Sequence, residues 1–365
     1  MNSFRVYLGL LCALGLTLGC QQETRSDESH RTVLRWALGA PQIDPLLSQT
    51  SVAKELGYFE EGGIEVEVTP LGGGARSVSL VASGQAEIGY IGAEPMIFNA
   101  AENKDAGIVL IFNQNRDPLF RWVVLPESPI QSIQDVQGKL VGTLSLASSG
   151  TFYAKGELMS LGIDPENDVE FVASGTGPSS VALLNRGDID VLVQADTILA
   201  AMELNGVVFR YLPTTEYTDA YFQGGLFVRR DYLRTHRNEV CAYVRGIAQG
   251  VEFVLENPEA AIHIHWKIYP ESKPRGISEE EALKFSLGVL KSRMDKWDPS
   301  DELIQKHGAY SHEEWMKIVE QMGLRPSVDD AMIRALYSNE LVDCANDFDA
   351  EEIREQARNY VFSDP

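Results

Sequence analysis

The chain has 365 residues and carries 53 Asp and Glu against 31 Lys and Arg, a formal net charge of −22. So acidic a surface repels phosphate backbones and anionic lipid, and no local basic stripe offsets it, so nucleic acid is not an expected partner. With 44% hydrophobic and 23% charged residues the chain can bury a core, and its length suits two domains.

Residues 1–19 read as a secretion signal: Arg5 supplies the early charge, and residues 6–19 form an apolar run ending in a small residue. That run is shorter than the ~20 residues of a membrane span. Leu16, Thr17, Leu18, Gly19 and Cys20 resemble a bacterial lipobox, with Thr17 where Leu is usual; the alternative is an ordinary signal peptide. A lipidated Cys20 makes the protein exported, periplasmic or cell-surface, and held to a membrane only by its anchor, with residues 20–32 as a polar flexible tether. Cys12 leaves with the signal. Cys241 and Cys344 then remain, either as one disulfide in an oxidising compartment or as two buried thiols.

From residue 33 short apolar runs alternate with helical stretches. Residues 33–38 read as a strand, 45–56 as a helix closed by Gly57, and 64–68 as an alternating strand with Glu65 and Glu67 outward. Three glycines precede a helix over 76–83 and a strand near 88–91. After the strand at 108–112 a polar stretch over 113–118 interrupts the pattern, and a strand at 121–125 restarts it, as in a crossover between domains. Strands at 140–144, 169–173 and 189–193 then alternate with helices at 151–161 and 179–185. A helix at 196–204, an extended piece at 209–212 and a polar run to Gln223 lead to a strand at 226–229. Beyond Asp231 the pattern is helical, at 240–255, 258–268, 279–291, 312–322, 328–336 and 351–360, and these helices are expected to pack on the first lobe. The expectation is an α/β fold of two lobes, 33–116 plus 224–365 and 117–223, with two crossovers and a helical C-terminal part.

An internal echo supports two lobes built alike. At an offset of 103, Gly72, Gly74, Ser77, Val78, Leu80 and Gly84 meet Gly175, Gly177, Ser180, Val181, Leu183 and Gly187. In open α/β sheets ligands sit where strands lead into helix N-termini. That selects residues 39–44, 72–77, 92–96, 145–151, 175–179 and 194–197. Gly73, Gly74 and Ala75 in one lobe, and Ser148, Ser149, Gly150 and Thr151 in the other, place small residues at helix starts, where free N–H groups favour an anionic oxygen. Glu94 and Asp196 follow strands in the two lobes and either point into the cleft, favouring an amine, or cap their helices. Asn113, Asn115, Arg116 and Gln223 sit in the crossovers, and Trp36, Tyr90, Phe120, Trp122, Phe152 and Tyr221 lie near the expected gap. No zinc motif, nucleophile elbow, P-loop or complete dinucleotide fingerprint is present, and none of the 6 histidines falls in a cleft loop. No cofactor or metal is expected, and catalysis has no support.

Val52, Ala53, Lys54, Glu55, Leu56, Gly57, Tyr58 and Phe59, followed by Gly63, Ile64, Glu65 and Val66, carry a resemblance. So do Ser128, Pro129 and Ile130 leading to Asp135, Val136, Gln137, Gly138, Lys139 and Leu140, and the late Glu256, Asn257, Pro258 and Glu259. Over roughly residues 33–300 the chain is similar to type II periplasmic solute-binding proteins of ABC importers, and above all to the group that binds sulfonates, taurine, nitrate and the thiamine pyrimidine precursor. The resemblance implies a periplasmic-binding-protein-like II (Venus flytrap) fold that closes on one small solute and presents it, as a monomer, to a membrane permease and its ATPase. Matching the family's binding loops to this chain points to Gln42, Gly73, Gly74, Ala75, Glu94, Asn115, Ser148, Ser149, Gly150, Thr151 and Asp196. The cysteine-rich motif of the related thiamine-pyrimidine synthases is missing. An enzyme of the same fold and a sensory lipoprotein are the alternatives.

Overall fold

The computed structural model describes residues 31–297 and 306–361. The signal, Cys20 and nearly all of the expected tether lie outside those residues. The described strands are β1 (Thr32–Leu38), β2 (Ile64–Pro70), β3 (Ile88–Gly92), β4 (Ile108–Asn113), β5 (Phe120–Val124), β6 (Leu140–Thr143), β7 (Glu170–Ala173), β8 (Val191–Ala195), β9 (Arg210–Tyr211) and β10 (Gly224–Arg229). The α-helices up to the last strand are α1 (Ser48–Glu55), α2 (Tyr58–Glu61), α3 (Gly74–Ala82), α4 (Ala93–Ala101), α5 (Ser149–Ser160), α6 (Pro178–Arg186), α7 (Asp196–Leu204) and α8 (Glu216–Ala220). Those after it are α9 (Arg230–Thr235), α10 (Arg237–Glu256), α11 (Pro258–Ile268), α12 (Glu279–Met294), α13 (His312–Gln321), α14 (Asp330–Arg334), α15 (Val342–Ala345) and α16 (Ala350–Arg358).

Local chemistry accounts for most of these elements. β2 alternates, burying Ile64 and Val66 and exposing Glu65 and Glu67, as a strand covered on one face does. β4 is buried along its whole length, and its unbroken apolar run is what a strand covered on both faces requires. The first helical stretch stops where Gly57 turns left-handed at φ +83°, a conformation that glycine adopts without steric cost. The sequence reading implies α4 only as the helix that Glu94 would cap and gives it no bounds, because it is apolar on several sides and carries Pro95 in its first turn, where proline is tolerated.

The strands form two five-stranded sheets, β2-β1-β3-β10-β4 and β7-β6-β8-β5-β9. In each, three parallel strands meet an antiparallel fourth: β10 beside β3, and β5 beside β8. The antiparallel strand is in both cases the one that has just crossed from the other sheet. The echo noted in the sequence falls on equivalent pieces, α3 with β3 and α6 with β8. At the crossovers, the Gln223 N–H donates to the Asn115 carbonyl at 3.3 Å, and the Leu119 N–H donates to Gln223 Oε1 at 3.4 Å.

One core lies on the outer face of the first sheet, where Trp36, Val66 and Ile88 meet Tyr243, Ile247 and Trp266 of α10 and α11. A second runs from the first sheet into the second, joining Ile91, Ile97 and Phe227 to Trp122, Tyr153 and Val191. The C-terminal helices do not all return to the first lobe. Trp315 of α13 packs on Phe222 and Tyr310, and α12 reaches the second sheet's α7, where Gly288 lies under Leu204. At the start of α7, Arg293 of α12 pairs with Asp196. Cys241 of α10 and Cys344 of α15 are joined as a disulfide, with Cα atoms 6.0 Å apart.

Candidate functional site

Between the two sheets lies a cavity of about 790 Å³, lined from both. Its first-lobe wall comes from β1, the loop after it and the start of α1, including Trp36, Gln42, Asp44, Leu47 and Gln49, with Gly73, Gly74, Tyr90 and Asn115 beside them. Its second-lobe wall comes from Phe120, Leu144, Ser148, Ser149 and Gly150, and from the facing sides of α6 and α7.

Several helices begin at this cavity, three of them α3 after Gly73, α5 after Ser148 and α6 after Gly177. None of the three N-cap residues caps its helix with a side chain. Their first N–H groups are the donors an α-helix leaves unpaired at its start, and the helix dipole adds partial positive charge there. The ends of α3 and α5 oppose each other directly, since a Cβ placed on Gly74 would lie 3.5 Å from Ser149 Oγ. Gly39 lies against the start of α3, where a Cβ would be 3.4 Å from the Gly74 Cα.

Asp44 brings a carboxyl to the wall. Its Oδ1 accepts from the Leu46 N–H at 2.9 Å, and it has no ion-pair partner among the described residues. Burial pushes its pKa up to about 6, against the lowering effect of that hydrogen bond and of Arg293. The charge of Arg293, which also lines the cavity, is already taken: its guanidinium donates to both oxygens of Asp196, and Lys296 Nζ lies 2.5 Å from Asp196 Oδ2. Asn115 fixes two aromatic walls, donating to the Tyr90 hydroxyl at 2.8 Å and accepting from Trp297 Nε1 at 2.9 Å. Trp36 Nε1, Gln223 Nε2 and both amide atoms of Gln49 are buried without a partner among the described residues, an arrangement that costs free energy until a group is seated against them.

Of the residues singled out in the sequence, Gln42, Gly73, Gly74, Asn115, Ser148, Ser149 and Gly150 come together on this wall. Ala75, Glu94, Thr151 and Asp196 do not line it. Ala75 is on the exposed side of α3. Thr151 turns its hydroxyl back to the Ser145 carbonyl and Thr143 Oγ1, both at 2.8 Å, and so shapes the loop. Glu94 is enclosed behind the wall, accepting from the Tyr221 hydroxyl at 2.6 Å and the Tyr217 hydroxyl at 3.2 Å. Burial pushes its pKa up to about 8, although both hydroxyls act to lower it. Asp196 faces its two cations; burial raises its pKa, but Arg293 and Lys296 outweigh burial and hold the carboxyl below its usual range. Trp36, Tyr90 and Phe120 reach the cavity, whereas Trp122 donates to Glu157 at 2.7 Å in the core and Phe152 packs on Phe98. Asp44 lay in a loop the sequence reading selected, but nothing marked it out, and Arg293 gave no signal, lying just past the helix expected over 279–291. No group of three His, Cys, Asp or Glu among the described residues could hold a metal ion.

A family profile described as NMT1/THI5 like matches residues 46–261. The formylaminopyrimidine-binding protein of Halalkalibacterium halodurans is 24% identical over 335 residues, covering 87% of this chain and 93% of its own. Among solved structures, the periplasmic nitrate-binding protein NrtA of Synechocystis superposes with a TM-score of 0.61 at 13% identity, over 88% of this chain and 91% of that one. The alkanesulfonate-binding protein SsuA of Xanthomonas axonopodis, bound to MOPS, does so with a TM-score of 0.59 at 16% identity, over 87% and 98%. The two-sheet architecture is thus that of the periplasmic-binding-protein-like fold.

Proposed function

The chain belongs to the NMT1/THI5-like family, and we propose that it is the solute-binding component of an ABC-type importer, capturing one small organic solute between its lobes and delivering it to a membrane permease. The observation that carries this reading is the cavity itself, in which helix starts from both lobes face each other across a shared hollow. A solute touching both walls stabilises the closed arrangement over the open one, which is how binding is signalled without chemistry. Export, a lipid anchor at Cys20 and a monomeric state complete the proposal. The reading is of a binder rather than an enzyme, in line with the relatives named for formylaminopyrimidine and taurine binding.

Charge narrows the solute. Arg293 is the one cation among the described lining residues and is spent on Asp196, while the Asp44 carboxyl has no ion-pair partner among the described residues. A bare anion such as nitrate gains only the helix ends and meets Asp44 unfavourably. An amino-substituted ring donates to Asp44, stacks on Trp36, Tyr90 or Phe120, and accepts from the helix N–H groups at its other edge. The relative named for formylaminopyrimidine binding supports the same choice.

A thermal-shift screen of nitrate, sulfonates, carboxylates and aminopyrimidines, on protein lacking residues 1–20, tests this. Aminopyrimidines should raise the melting temperature, by the equivalent of about 2.7 kcal/mol at a hundredfold excess over Kd, and nitrate should not. Gly74→Leu, which fills the gap between the two helix ends, should weaken the shift at least tenfold in ligand concentration while leaving the unliganded melting point nearly in place. A solute recovered chemically altered, or no shift with any class, would refute the proposal.

A further inference from the structure

The cavity is larger than the solute class just proposed requires. At about 30 Å³ per water, its 790 Å³ holds roughly two dozen water-sized groups, of which a substituted six-membered ring fills roughly a third. The two walls already touch at places around it, where Gly74 approaches Ser149 and Asp196 pairs with Arg293.

The remaining space has a direction and a chemistry. On α6 the lining residues are Pro178, Val181, Ala182 and Asn185, and on α7 and its C-cap they are Thr197, Ile198, Ala201, Met202 and Asn205. Each set recurs at helical spacing and so forms one stripe along its helix. At 1.5 Å rise per residue, each stripe runs about 10 Å from the helix start. Between its ends each stripe is apolar; Val181, Ala182, Ile198 and Ala201 are only half-buried, and Val181 and Ile198 also pack against the core of the second sheet. Val207 closes the side, also half-buried, and Asn185 and Asn205 stand exposed at the far mouth. The small residues Ala182 and Ala201 keep the arm open.

We infer that the α6–α7 arm of the cavity is a subsite for an apolar extension of the solute, so that the ligand is an amine-bearing ring carrying an apolar substituent about 10 Å long. The inference rests on the solute-binding reading above and deepens it. The polar wall at Asp44 orients the ring, the helix starts form the waist, and the substituent displaces water from Val181, Ile198 and Ala201. Apolar area removed from water there makes each added methylene favourable until the chain reaches the asparagines at the mouth.

Calorimetric titration of the full mature chain with 4-aminopyrimidine and its 5-alkyl derivatives from methyl to decyl tests this. The Kd should fall about three- to fourfold per methylene, and the gain should stop near eight carbons. Ala201→Phe should abolish the increment per methylene. Asn185→Trp, at the exposed mouth and so safer for folding, should shorten the chain length at which the gain stops. A ring that binds with no gain from the chain, or increments that survive Ala201→Phe, would overturn the subsite while leaving the solute-binding reading intact. No binding by any member of the series would overturn both.

Discussion

Glu94 and Asp196 occupy corresponding places in the two sheets, yet they end in opposite electrical states. Each follows the third parallel strand of its sheet, β3 or β8, and each lies in the first turn of the next helix, α4 or α7. Glu94 meets hydroxyls alone, from Tyr217 and Tyr221, and burial lifts its pKa to about 8. Asp196 is less deeply enclosed and meets Arg293 and Lys296, and its carboxyl stays below the usual range despite burial. Strand order thus decides where an acid stands, and the segments brought against it, more than 120 residues away in one case and about a hundred in the other, decide its charge.

The severest way to break the contrast is to remove the acid that carries charge. Asp196→Ala leaves Arg293 buried beside α7 with no carboxylate, and breaking a buried pair from one side costs about 3–5 kcal/mol. Urea denaturation should show this as a lowered midpoint at unchanged slope. A loss below about 1 kcal/mol would mean that the pair behaves like an exposed one.

The pH dependence sharpens the contrast, because the two acids work in opposite senses. Glu94 has a folded pKa above its unfolded value, so the native state holds its proton more tightly. Its contribution is complete below about 4.5 and is lost as pH rises to about 8. Asp44 acts in the same sense between about 4 and about 6. Asp196 has a depressed pKa, so its contribution is present above the ordinary value near 3.8 and is lost as pH falls through the lowered one. Glu94→Gln should therefore flatten the decline in stability between pH 6 and 8, which in the parent is up to about 1.4 kcal/mol per pH unit. An unchanged slope would show that Glu94 is ionised throughout.

Much of the fold was legible because its signals are local. The runs at β1, β3 and β8 are short, apolar and bounded by glycine or acid, and the echo between residues 72–88 and 175–191 placed α3 and α6 correctly in their lobes. The floor of the site was legible for the same reason, since Gly74 and Ser149 are marked by the small residues around them. What could not be read was partnership across distance. Nothing near Glu94 announces Tyr217 and Tyr221, and nothing near Asp196 announces Arg293, so the sequence offered each acid only as a group facing the solute or as a helix cap, and not as a partner of distant side chains. The apolar arm was invisible for a related reason: Val181 and Ala201 look like core residues until the helices carrying them are seen to leave their facing stripes uncovered.

The smallest effect separates the two cations on Asp196. Arg293 engages both carboxylate oxygens through a planar fork, while Lys296 reaches one of them and also donates to the Ser292 carbonyl at 3.1 Å. Lys296→Met removes one charged donor but leaves every lone pair that Arg293 serves, and the aliphatic stem is replaced by one of similar volume. The expected loss is about 1 kcal/mol, roughly a quarter of that for Asp196→Ala, read from the same urea curves. If Lys296→Met costs as much as Asp196→Ala, then the single cation Arg293 cannot hold the buried carboxylate, and the difference from Glu94 rests on the number of cations rather than on the geometry of the arginine fork.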